Sequence, residues 1–119
     1  MRKTWRSQIT IEAIDRSVTV PKSLPPIHPG ETIKFDVLEP LGMSVNQLAK
    51  ALSVDAARLN EIVRGRRGIS ADTALRLAVY LGTTPQFWMG LQLDYELRVT
   101  KQERFRQIQA QVKPRNVAA

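Results

Sequence analysis

Two apolar stripes separated by only three residues dominate the middle of the chain. In the stretch 44–64, SVNQLAKALSVDAARLNEIVR, Leu48, Ala49 and Leu52 recur at helical spacing. After Ser53-Val54-Asp55 the pattern restarts with Leu59, Ile62 and Val63. Ser44 and Gln47 read as a capping box, with Met43 stapled onto Leu48, and Asp55 reads as the second N-cap, with Val54 stapled onto Leu59. Small Ala49 on the inner face lets the two helices approach closely. This is the pattern of a helix-turn-helix, whose second helix enters a DNA major groove. It is also the pattern of a plain αα-hairpin in a helical bundle, so the flanking sequence has to decide.

Upstream, Pro29-Gly30-Glu31 opens a helix with Ile33, Val37 and Leu38 inside, and Pro40 is expected to stop it. Downstream, Ser70 caps a helix whose apolar side is Ala74, Leu75, Leu77, Ala78 and Leu81, with Gly82 as its end. Thr84-Pro85 starts another, with the ridge Phe87, Trp88, Leu91 and Tyr95. Thr100 and Glu103 form a second capping box, where that long helix is expected to break. A weaker stripe of Phe105, Ile108 and Val112 follows, up to Pro114. Residues 1–27 differ from the rest: Ile9–Ile11 and Val18–Val20 alternate like short strands, and prolines follow. Two such strands alone are marginal, which leaves a mobile arm or a segment ordered by a partner.

The expected fold is therefore all-α: five helices with an extended N-terminal arm and a helical C-terminal extension. The expected divisions are an arm over 1–27, a helix-turn-helix domain over 28–100, and an extension with its tail over 101–119.

Composition narrows the chemistry. The absence of cysteine excludes disulfides, thiolate metal sites and a thiol nucleophile. No apolar run reaches membrane-spanning length and the N-terminus lacks a signal-peptide core, so a cytoplasmic protein is expected. His28, the single histidine, has no carboxylate or thiolate company and reads as structural or exposed rather than as a ligand. With no phosphate-cradling glycine motif and no paired carboxylates beside a nucleophile, the chain offers no enzyme site, metal site or cofactor site. Net charge of +7 favours an anionic partner, and the excess lies in the flanks: +3 over residues 1–28, +1 over 29–82 and +3 over 83–119.

Helical phase selects the candidate reading surface. With Leu59, Ile62 and Val63 inside, Ala57, Asn60, Glu61 and Arg64 lie outside, and Ala56 stands at the N-terminal end. Asn pairs with adenine, Arg with guanine, Glu accepts from cytosine, and alanine meets a thymine methyl. Arg64-Gly65-Arg66-Arg67-Gly68 follows at once, and Arg66 and Arg67 suit forked phosphate contacts. A solvated charge run at a helix C-terminus is the bland alternative. Ser44, at a helix N-terminus, is a further phosphate candidate. Arg58, on the flank, suits either phosphate or solvent.

Three separated motifs resemble one family. They are His28-Pro29-Gly30-Glu31 through Leu38-Glu39-Pro40-Leu41-Gly42-Met43-Ser44, then Arg64-Gly65-Arg66-Arg67-Gly68-Ile69-Ser70-Ala71-Asp72-Thr73-Ala74, then Thr84-Pro85-Gln86-Phe87-Trp88-Met89-Gly90-Leu91-Gln92. Over about residues 28–98 the chain resembles the HigA-type antitoxins of the phage-repressor-like helix-turn-helix regulators. The resemblance implies a five-helix domain, a homodimer, double-stranded DNA with a two-fold symmetric operator, and a HigB-type mRNA-cleaving toxin as partner. Two positions depart from the pattern. Ser53 replaces the usual turn glycine, which requires a left-handed conformation of a residue with a β-carbon, and Val45 replaces a phosphate-contacting glutamine.

With the reading helix committed to the groove, the distal ridge supplies the expected protomer contact: Tyr95, Phe105 and Ile108. The expected function is an autorepressor that also neutralises a toxin. A stand-alone regulator and a toxin-masking module without DNA binding are the alternatives.

Overall fold

The structure, a computed structural model, describes residues 25–115. The strand-like stretches near Ile9 and Val18 and the last four residues lie outside them. Five helices form, with no strand among the described residues.

The first helix, α1, is continuous over three pieces: Pro29–Ile33, a π-helical turn Lys34–Leu38, and Glu39–Leu41. The expected stop before Pro40 is wrong, and the π turn is the reason. Proline removes an N–H and drives its ring towards the carbonyl four residues back. Here the backbone has already widened, with the Glu39 N–H reaching the Lys34 carbonyl, so the ring is accommodated. Ile33, Val37 and Leu38 are buried as expected.

Helix α2, Val45–Leu52, opens on the Ser44/Gln47 capping box with both hydrogen bonds made. Helix α3, Ala56–Val63, starts after Asp55, whose side chain makes no capping hydrogen bond, so the position was read correctly but not the bond. Helix α4, Ala71–Leu81, is capped by Ser70. Its inner face is Ala74, Leu77 and Ala78, whereas Leu75, expected inside, is exposed. Helix α5, Pro85–Gln111, is capped by Thr84 and runs unbroken through Thr100 and Glu103. The expected interruption is absent: both residues are exposed, and the propensity cost of a single threonine, under about 1 kcal/mol, is too small to break a long helix.

One core joins the five helices. Ile33, Leu48, Leu59, Ile62, Leu77 and Trp88 are all less than 2% exposed. Each such side chain contributes about 1.5–3 kcal/mol of burial. The Trp88 indole N–H is satisfied by Thr83 Oγ1 at 2.8 Å. Helices α1 and α3 approach closely: a β-carbon on Gly30 would collide with the Ile62 carbonyl and stand 2.9 Å from the Val63 oxygen. Only glycine lets the start of α1 press on the end of α3.

Candidate nucleic-acid interface

The α2–turn–α3 unit is fixed at its turn from two sides. Ser53 has φ 56° and ψ 46°, the left-handed conformation expected from its sequence position, and is the one non-glycine with positive φ among the described residues. The Val54 N–H then reaches the Ala49 carbonyl at 3.0 Å, which closes the helix end. From α4, the Arg76 guanidinium donates to the carbonyls of Leu52 (3.0 Å) and Ser53 (3.2 Å) and is steadied by Asp72 at 2.6 Å. A cation at a helix C-terminus complements both the orphan carbonyls and the helix dipole. Sequence reasoning missed this role of Arg76, because 23 residues separate it from Ser53.

With the turn held, α3 presents its outer face. Ala57, Arg58, Glu61 and Arg64 are exposed, and Asn60 is half-buried. Ala56 and Val63 are half-buried against the core, so the expectation that Ala56 is exposed and Val63 fully inside needs adjusting at both ends. Asn60 and Arg64 edge one shallow depression together with Ser44, Val45 and Lys34. Ala57, Arg58 and Glu61 edge another, of about 800 Å³, together with Arg67, Ser70 and Arg76. Lys34 was not among the expected contacts. It opens the π turn of α1 on the exposed side, and only the fold brings it beside Ser44, Asn60 and Arg64.

At Ser44 the side chain and backbone are already engaged: Oγ accepts the Gln47 N–H at 3.1 Å, and the Ser44 N–H donates to Gln47 Oε1 at 2.9 Å. What this helix end keeps for an anion is the hydroxyl proton and the next amides. Val45, in place of glutamine, packs half-buried against the core.

The arginine loop after α3 is built from beneath. Gly65 at φ 80° ends the helix, with the Arg66 N–H on the Glu61 carbonyl at 2.8 Å. Under it lies His28, which is buried. Its Nδ1 accepts the Gly30 N–H at 2.8 Å and its ring meets Tyr95 edge-on at 4.8 Å. Burial pushes His28 below the usual histidine range, against the pull of its hydrogen bond to the Arg67 backbone and of Glu31. The structural reading of His28 is thus correct, and its task is to prop the loop. On the far side Gln92, buried in α5, accepts the Ile69 N–H on Oε1 at 2.8 Å and donates to Glu96 at 2.7 Å. A β-carbon on Gly68 would stand 2.7 Å from the Gln92 amide nitrogen. The three sequence motifs therefore converge on one object: His28, Gly68 and Gln92 hold the loop that carries Arg64, Arg66 and Arg67. Arg67 itself pairs with Glu61, Nε to Oε1 at 3.1 Å.

Tyr95, expected between protomers, is half-buried against His28 of its own chain. On α5 the exposed apolar side chains are Met89, Leu93, Leu97 and Phe105, and Ile108 is half-buried. Among the described residues no cluster of metal-binding side chains occurs, and no helix is long and apolar enough to cross a membrane.

A tri-helical unit with a pinned turn, a free second helix and a basic loop at its end defines a helix-turn-helix domain. A helix-turn-helix family model matches residues 36–88, and a relative described as a helix-turn-helix regulator is covered over most of its length, so the chain belongs to that family. Within it the chain belongs with the HigA-type antitoxins. It is 49% identical to virulence-associated protein I of Dichelobacter nodosus, over 68% of this chain and 75% of that protein. Antitoxin HigA-1 of Vibrio cholerae is 34% identical over 75% of this chain and 83% of its own length. The solved structure of Pseudomonas aeruginosa antitoxin HigA with the higBA promoter superposes with a TM-score of 0.73 at 45% identity, covering 75% of this chain and 97% of that one.

Proposed function

We propose that this chain is a sequence-specific DNA-binding autorepressor and the antitoxin of a HigB/HigA-type pair, acting in the cytoplasm as a homodimer on a two-fold operator. The observation that carries the reading is the outer face of α3, left open beside a propped arginine loop while its inner face is core. On this reading Asn60, Glu61 and Arg64 read base edges, with Ala56 and Ala57 against methyl groups. Arg58, Arg66 and Arg67 take phosphates, as does the Ser44 helix end, and Lys34 joins them from α1. The protomer contact runs along α5 through Phe105 and Ile108, with Leu93 and Leu97 extending the stripe; Tyr95 is already committed to His28.

The domain's likeness to a HigA solved with its promoter supports the DNA half of this reading. The test is titration of the full chain with the DNA upstream of its own reading frame, alongside co-expression with the adjacent reading frames. Tight, salt-sensitive binding with rescue of growth from one neighbour supports both halves. Binding without rescue leaves a stand-alone regulator, and rescue without binding leaves a toxin-masking module.

A further inference from the structure

On the assigned reading face one carboxylate stands among cations, and it is tied to one of them. Glu61 projects from α3 between Ala57 and Arg64, and Arg67 reaches back from the loop to hold it at 3.1 Å. Both side chains are about half exposed, at 50% and 48%. A pair so placed is weakly held in water and opens readily. While closed, it does two things to a duplex lying on this face. It cancels one of the loop's positive charges, and it withholds the Arg67 guanidinium from the phosphates.

We propose that the Glu61–Arg67 pair is a selectivity gate for the DNA-binding reading given above, on which this proposal rests. Against random sequence the pair stays closed, and Arg67 adds no phosphate contact. Where a base edge presents a donor to Glu61, as the cytosine N4 amino group does in the major groove, the carboxylate exchanges partners. Arg67 is then released to the neighbouring phosphate. Base reading and phosphate binding are thereby coupled: the right base gains two contacts, and the wrong one gains neither. Specificity in this scheme comes partly from penalising random DNA, not only from favouring the operator.

The test compares wild type, E61Q, R67A and the double variant on operator and random duplexes across a salt series. Both side chains are half exposed, so all four proteins are expected to melt within a few degrees of one another. In the wild type, the operator salt slope should exceed the random-DNA slope by about 0.9 more than in R67A, the mark of one extra phosphate. E61Q frees Arg67, so its affinity for random DNA should rise close to tenfold at about 0.1 M salt, with a slope steeper by about 0.9. Its operator-to-random ratio should fall by on the order of tenfold or more. R67A should weaken the operator severalfold more than random DNA, and adding R67A to E61Q should abolish the gain on random DNA. The gate is overturned if E61Q leaves random-DNA affinity and slope unchanged, or if R67A weakens random DNA as much as operator, because Arg67 then binds phosphate with the pair closed. A wild type that shows no preference for operator removes the DNA reading itself, and the gate with it.

Discussion

Replacing Gly30 with alanine should damage this fold more than any other single methyl group added to it. A β-carbon there would enter the Ile62 carbonyl and lie 2.9 Å from both the Ile62 carbonyl carbon and the Val63 oxygen. The obstructing atoms are backbone at the end of α3, so no rotamer change relieves them. Restoring ordinary contact requires α1 and α3 to separate by more than about 1 Å, which also loosens the packing around Ile33 and Ile62. Overpacking of this kind costs about 1–3 kcal/mol. The gain from alanine's helix propensity, up to about 1 kcal/mol mid-helix, is smaller in a first turn and cannot offset it. A net loss of about 2 kcal/mol lowers the melting temperature by roughly 8–15 °C in a domain of this size. Gly90 supplies the control: it lies in α5 with open space around it, so Gly90→Ala should stabilise by about 0.5–1 kcal/mol. Thermal and urea melts of both variants decide the matter. If Gly30→Ala melts within a degree or two of wild type, the close α1–α3 approach is not what holds the end of the reading helix.

Ser53→Gly should raise stability by about 0.5–1 kcal/mol, because it relieves a β-carbon at φ 56° while adding unfolded-state entropy; a clear loss in urea melts would mean that the serine hydroxyl is needed. His28 titrates below its ordinary value through burial, so on acidification the unfolded chain takes up the proton first. Stability is then complete above the unfolded-chain value of about 6.5 and falls as the pH drops below it, and His28→Ala should flatten that slope in melts while lowering stability at neutral pH. An unchanged slope would assign the acid sensitivity to other groups. On DNA, Asn60→Ala should cost roughly 1–3 kcal/mol on the operator and little on random sequence, whereas Arg66→Ala should weaken both and flatten the salt dependence. Equal losses for Asn60→Ala on both duplexes would remove it from the base-reading set.

Most of the helix-turn-helix was legible because its signals are local. Capping residues at Ser44, Ser70 and Thr84 and the apolar phases of α2 and α3 depend on neighbours three or four residues away. The failures are those that depend on distance or on rare geometry. A π turn ahead of Pro40 has no periodic signature, so α1 was cut short, and Lys34 meets Ser44 and Asn60 only through the fold. Leu75 shares the phase of an apolar face, yet among the described residues no helix covers it and it stays exposed. Arg76 on the turn, and His28 and Gln92 beneath the loop, are bonds between residues far apart in sequence. The motifs showed that these residues belong together, and only the fold showed what they hold. The Glu61–Arg67 pair lay within six residues, but nothing in the sequence said that the loop would fold back onto α3.

The most direct test of the central claim is guanine N7 protection on the DNA upstream of the reading frame. N7 faces the major groove, so methylation protection reports where a helix enters it. The account predicts two protected patches on one face of the duplex, centred about one helical turn apart, and their loss when Asn60 and Arg64 are both replaced by alanine. Protection that persists in that variant, or binding with no major-groove protection at all, would contradict the assignment of α3 as the reading helix.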